Sequence, residues 1–376
     1  EIGCFIECES IAVAADVERL WFARASIALR GFDVPIPRGG SASSKPSCGE
    51  NVEFDLVRNG IETQFIDANG MRFETLTAGD PNSPKLALLL HGFPEHAYSW
   101  RYQMPLLAKL GYRVWAPNQR GYGNTTRPAR QAEYHLDRLL EDVAALIDAS
   151  KAESVTLIGH DWGGIVGWMF ALRGIRPLER FVVMNLPHPQ RFHEGLQTKA
   201  QRKRSRYAVF FQLPWLPEFL FRLGRAKAIG DAFLGMAVDK SRFPSEVLDV
   251  YRDAAAKPGA LKAMINWYRA NAFTGMFKEK HPVLETPTLM VWGEMDTALG
   301  KELTYGTDEL VRDFTLRYLP NASHWVQQDA PDAVNEILEA WLTDAGVPEF
   351  SDIPSPESDT GAGKENANEN TKEEVQ

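Results

Sequence analysis

The stretch Ser154-Val155-Thr156-Leu157-Ile158, then Gly159-His160-Asp161-Trp162-Gly163-Gly164, then the apolar run opening at Ile165, decides the architecture. The first five residues read as a buried strand and the last run as an apolar helix. Small residues on either side of Asp161 permit a tight strand-to-helix turn. Such a turn lifts one side chain above the sheet edge, the geometry of a nucleophile elbow. A bare G-x-D-x-G arises by chance in glycine-rich chains. The strand before, the helix behind and the flanking pattern give this one its weight.

Working outward, strands and helices alternate. Gln64–Asp67 and Met71–Glu74 flank Asn69-Gly70, a hairpin signal. Lys85–Leu90 is a continuous apolar strand, and Tyr112–Ala116 is the next. His135–Ala149 places Leu136, Leu139, Leu140, Val143 and Ile147 on one helical face. Strands follow at Phe181–Met184, Thr288–Trp292 and Phe314–Leu319, and a last helix at Asp332–Leu342. The pattern predicts a mostly parallel central sheet flanked by helices. Residues 187–281 break it: helix-rich and crowded with aromatics, they read as a helical lid inserted between two strands. The core is then 61–186 with 282–350. The basic run Lys199, Arg202, Lys203, Arg204 and Arg206 reads as the solvated face of a lid helix.

The ends differ from the middle. Residues 1–60 hold a possible helix (Ile11–Leu29) and a Pro/Gly/Ser linker. Residues 351–376 carry seven acidic residues against two lysines and no aromatic, an acidic tail expected to be disordered. The chain of 376 residues has a net charge of −9, which argues against nucleic acid as a partner. No apolar stretch is long enough to cross a membrane. The start at Glu1 has no basic region of a signal peptide. Cys4, Cys8 and Cys48 form no disulfide framework and no metal pattern, which fits a cytoplasmic setting. The oligomeric state is left open.

The elbow residue is aspartate, and that choice carries chemistry. A serine attacking an alkyl carbon forms an ether that activated water does not cleave. A carboxylate forms an ester, which turns over. Asp161 therefore points to an electrophilic sp³ carbon: an epoxide or a carbon–halogen bond. The bland alternative, a plain helix N-cap, leaves the glycines without a purpose. His324, in the loop after the last strand, suits activation of water. Asp296, just past strand Thr288–Trp292, suits orienting it. Glu294 competes for the acid's place, and Asn185 is an uncharged, poorer candidate. The order Asp, acid, His is that of an α/β-hydrolase. The ester's tetrahedral intermediate needs two backbone donors, for which Trp162 and Phe93 are the candidates.

His91-Gly92-Phe93-Pro94, Ser99-Trp100-Arg101, Arg120-Gly121-Tyr122-Gly123, the Asp161 motif and Asn266-Trp267-Tyr268-Arg269 together resemble the α/β-hydrolase-fold epoxide hydrolases. The resemblance spans about Ile61 to Pro348. It implies two lid tyrosines that donate hydrogen bonds to the epoxide oxygen, matched by Tyr207 (in Tyr207-Ala208-Val209-Phe210-Phe211-Gln212) and Tyr268. It also implies a pocket lined by His91, Pro94, Trp100, Phe211 and Trp267, and a small apolar epoxide and water as substrates. No metal or organic cofactor is implied. Asn118 departs from the aspartate common before the Arg-Gly-Tyr-Gly turn and is expected to bear on stability. The runner-up is a haloalkane or haloacid dehalogenase using Asp161, His324 and Asp296. Such an enzyme needs N–H donors for halide, and Phe93 has no side-chain donor. A catalytically silent ligand-binding relative is the remote alternative.

Overall fold

Asn69 and Gly70 both take positive φ (49° and 66°), which joins β1 (Glu62–Ala68) and β2 (Met71–Ala78) as a tight antiparallel hairpin. A computed structural model gives the architecture of residues 56–350. The readings for the cysteines, the Ile11–Leu29 helix, the linker and the acidic tail fall outside the described residues.

Six more strands complete an eight-stranded sheet: β3 (Lys85–Leu90), β4 (Arg113–Pro117), β5 (Ser154–His160), β6 (Arg180–Met184), β7 (Thr288–Gly293) and β8 (Phe314–Leu319). Their order is β1-β2-β4-β3-β5-β6-β7-β8. β1, β2 and β4 pair antiparallel; all pairs from β4 onward are parallel. Parallel pairing explains the near-continuous apolar strands, because helices cover both faces. Leu86, Leu88 and Leu90 enter one core layer, while Ala87 and Leu89 enter the other. Each fully buried leucine contributes roughly 2 kcal/mol.

The first layer packs against α2 (Leu136–Ser150) and α3 (Trp162–Leu172); the second packs against α1 (Gln103–Lys109) and a C-terminal helix at Pro331–Leu342. All five apolar residues assigned to one face of α2 are buried. α1 was not anticipated: seven residues are too few to show a helical period.

The elbow is tighter than the sequence reading allowed. β5 continues two residues beyond Ile158 and α3 begins at Trp162 rather than Ile165. Asp161 alone makes the turn, at φ 48° and ψ −120°.

Between β6 and β7 the chain is helical: α4 (Pro189–Gly195), α5 (Lys199–Arg204), α6 (Arg206–Phe210), α7 (Leu216–Met236), α8 (Ser245–Ala256) and α9 (Ala260–Asn271). α7 is two helical pieces joined at Leu223–Ala226. The helix at Pro331–Leu342 is α10.

Candidate active site

The elbow, the β3 loop and the loops after β7 and β8 all lie at the carboxyl ends of the parallel strands, where open α/β sheets bind ligands. Two glycines make the elbow possible. A Cβ on Gly163 would stand 2.0 Å from the Leu90 carbonyl oxygen, and one on Gly159 would stand 2.5 Å from that of Gly163.

The Phe93 N–H donates to Asp161 Oδ1 at 2.8 Å. Trp162 opens α3, so its N–H has no partner within the helix. Oδ2 of Asp161 faces His324 Nε2 at 3.7 Å. Burial works against ionisation of Asp161, but the His324 imidazole, His160 and the Phe93 N–H outweigh it and hold the carboxyl below its ordinary range.

His324 Nδ1 meets Asp296 Oδ2 at 2.7 Å. Asn185 donates to the same oxygen at 2.8 Å, while Oδ1 receives the N–H groups of Ala298 and Leu299. Glu294 turns away and pairs with Lys301. Burial tends to lower the His324 pKa, but the charges of Asp296 and Asp161 raise it to about 10.

Across from Asp161 stands an aromatic wall. Tyr268 packs edge-on against Phe93, Trp162 and Phe211, with ring centroids 4.9–5.1 Å apart. Tyr207 lies 5.9 Å from Tyr268, its ring partly exposed and its hydroxyl turned inward to that neighbour. The Trp162 indole beside Tyr268 partly offsets the effect of burial on its phenol. Burial and the Asp161 charge raise both phenol pKa values, so both remain donors at neutral pH. Trp267 packs on Trp162 and donates to the Arg120 carbonyl at 3.0 Å.

The remaining pocket candidates differ. Pro94 is buried next to Phe93. His91 is fully buried, bonded to Gln119 and packed on Tyr122. Burial pushes it down to about 4, so it is neutral at pH 7. Trp100 does not join the group. It is fully buried in the second core layer with Ala97, Met104 and Val334, and its place in a pocket lining is withdrawn.

Sequence reasoning missed a second tier. Fully buried His160 donates from Nε2 to the His324 carbonyl at 2.8 Å, and its Nδ1 meets Glu95 Oε2 at 2.7 Å. Glu95 also receives the Gly92 N–H and the amides of Gln327 and Gln328. His160 sits inside the quoted elbow motif and Glu95 directly follows His91-Gly92-Phe93-Pro94, which is the signal that was available. Two further contacts tie the inserted helices to the loops that carry Asp296 and His324. Gln201 bonds the Ala298 carbonyl and the Gly300 N–H, within the loop that carries Asp296. Asp329 receives the N–H groups of Val238, Asp239 and Ser323, the last next to His324.

Among the described residues, no group of three His, Cys, Asp or Glu is placed to hold a metal ion. No helix among them is long and apolar enough to cross a membrane.

A carboxylate on a strand-to-helix elbow, an acid-oriented histidine and a two-donor amide pocket define a hydrolase of the α/β class. Residues 87–331 match the family model of the alpha/beta hydrolase fold. The chain is 40% identical over 283 residues to Epoxide hydrolase 4 of Homo sapiens, covering 74% of this chain and 77% of that protein. It is 30% identical over 314 residues to Epoxide hydrolase A of Mycobacterium tuberculosis, covering 74% and 97%. An epoxide hydrolase from Bacillus megaterium superposes with a TM-score of 0.68 at 28% identity, covering 74% and 100%, and a mutant of that enzyme has been solved with its product, (R)-3-[1]naphthyloxy-propane-1,2-diol. The chain belongs to the α/β-hydrolase fold family, among its epoxide hydrolases.

Proposed function

We propose that the protein opens an epoxide with water to a vicinal diol through an ester on Asp161. The observation that carries this reading is the placement of Asp161 opposite the Tyr207–Tyr268 pair, with His324 within reach of the carboxylate.

In the first step Asp161 Oδ2 attacks an epoxide carbon and the ring carbon–oxygen bond breaks. Tyr207 and Tyr268 hydrogen-bond the oxygen, and the alkoxide takes a proton from one of them. Oδ1 stays with the Phe93 N–H. The charge change then readies the second step. Esterification removes the negative charge of Asp161, one of the two that keep His324 protonated. The His324 pKa falls, its proton passes by way of solvent to the tyrosinate, and the neutral imidazole accepts a proton from water. The hydroxide adds to the ester carbonyl, the Phe93 and Trp162 N–H groups hold the oxyanion, and collapse breaks the bond to the alkyl oxygen, which takes the proton of the new Asp161 carboxyl and leaves as the diol. Asp296 keeps the imidazole oriented throughout. The helices between β6 and β7 act as a lid whose buried aromatics, Phe211 and Trp267, favour an apolar, aryl-bearing substrate.

The test is diol formation from styrene oxide by wild type, with Asp161→Ala as the blank. His324→Gln should trap the ester, seen as the substrate's mass added to the intact protein. A substrate that wild type turns over but that leaves no adduct on His324→Gln sinks the covalent scheme.

A further inference from the structure

Six of the thirteen exposed large hydrophobic side chains among the described residues fall within Tyr207–Leu223. They are Tyr207, Val209, Leu213, Trp215, Phe219 and Leu223, with Trp215 at 70% and Phe219 at 56% exposure. Trp215 and Phe219 are one helical turn apart, linked by the Phe219 N–H to the Trp215 carbonyl at 3.0 Å. Single exposed apolar residues are ordinary, but a run of this density marks an interaction surface.

The same segment is strongly basic. Residues 196–230 carry eight Lys and Arg against one Glu, a net charge of +7 in a chain whose total is −9. Glu218 is taken by Arg269. Arg204, Arg225 and Lys227 have carboxylate partners in Glu302, Asp253 and Asp231. Lys199, Arg202, Lys203 and Arg222 are exposed and meet no carboxylate among the described residues. Solvation alone accounts for the charges but leaves Trp215 and Phe219 unexplained.

We infer that this face of the inserted helices docks on an anionic phospholipid surface. Apolar side chains inserted at the headgroup boundary, from a segment that also carries Lys199, Arg202, Lys203 and Arg222, match that surface in both respects. The alternatives match it in one. The acidic tail 351–376 complements the charge, but offers only Ile353 and Val375 as large aliphatic residues. A second copy on a two-fold axis would bury the aromatics but bring the cations without carboxylate partners against their own copies. The consequence for catalysis rests on the epoxide reading above: Tyr207 sits at the edge of this face, so the site would open toward the phase in which apolar epoxides concentrate. The docking itself does not depend on that reading.

The experiment is co-sedimentation of the full chain with phosphatidylcholine vesicles, with and without about 30% phosphatidylserine. Binding to the anionic vesicles should exceed that to neutral ones at least about tenfold and fall as salt rises. Trp215→Asn/Phe219→Gln and Arg202→Glu/Lys203→Glu should each lose about tenfold in binding, with vesicle-free turnover of styrene oxide and melting temperature unchanged. Asn is chosen because Trp215 has φ 54°. Absence of vesicle binding, equal binding to both vesicle types, or binding that survives these substitutions overturns the inference. So does a wild-type dimer in analytical ultracentrifugation that Trp215→Asn/Phe219→Gln dissociates.

Discussion

Asn185 and Asp296 share a hydrogen bond of 2.8 Å, and the carboxylate oxygen that accepts it is the one that meets His324. Asn185 is itself anchored, since its Oδ1 accepts the Gly293 N–H at 2.8 Å and its backbone takes φ 41° at the end of β6. Asn185→Ala should slow ester hydrolysis by roughly tenfold, the worth of one charge-assisted hydrogen bond. Ester formation should change little. Single-turnover kinetics separates the two steps, and equal slowing of both would show that Asn185 only supports the fold.

Loss of the phenols should have the opposite kinetic signature. Tyr207→Phe and Tyr268→Phe should each slow ester formation by about 10–100-fold, and the double variant more, because the ring oxygen then leaves without its donors. Hydrolysis of preformed ester should be nearly unaffected. Burst kinetics with stopped-flow fluorescence reads both rates.

The His324 pKa is raised from 6.5 to about 10. A group whose pKa rises on folding stabilises the native state fully below its unfolded pKa, and that contribution disappears as pH climbs through the folded value. Wild type should therefore lose melting temperature between about pH 7 and pH 10 relative to His324→Gln. Parallel melting curves for the two proteins across that range would remove the assignment.

Glu95 accepts four donors: one from the β3 loop, one from the end of β5 and two from the short helix Val326–Asp329 that follows His324. Glu95→Gln replaces an acceptor with an amide that must face a donor. It should destabilise the protein by roughly 2–4 kcal/mol. Urea unfolding measures this, and a change below about 0.5 kcal/mol would mean the pocket rearranges without cost.

Gly163→Ala tests the elbow. Its Cβ would collide with the backbone oxygen of Leu90, which no rotamer change relieves. The variant should fail to accumulate as folded protein or lose more than about 3 kcal/mol.

The strands and the elbow were legible because their signals are local. The β3 and β8 boundaries match the apolar runs to the residue, and the elbow is six consecutive residues. The Ser99-Trp100-Arg101 motif that suggests a pocket role for Trp100 does not tell against which face of the sheet the ring packs, and it lies in the second core layer. The Glu95–His160 contact joins residues 65 apart, and Asn185 reaches Asp296 across 111; composition and spacing carry no trace of such pairings. Asn185 was weighed as an acid and set aside, while its role as a donor to the acid needed the sheet order that makes β6 and β7 neighbours.

Gln201 and Asp329 give the inserted helices a bearing on enzyme engineering. One fastens α5 to the loop of Asp296, and the other fastens the end of α7 to the loop of His324. A chimera that borrows these helices from a relative to change substrate range therefore replaces one strut, Gln201, and the chain segment that the other, Asp329, holds. Transplants that keep both struts should retain turnover while selectivity changes; those that drop them should confound the two.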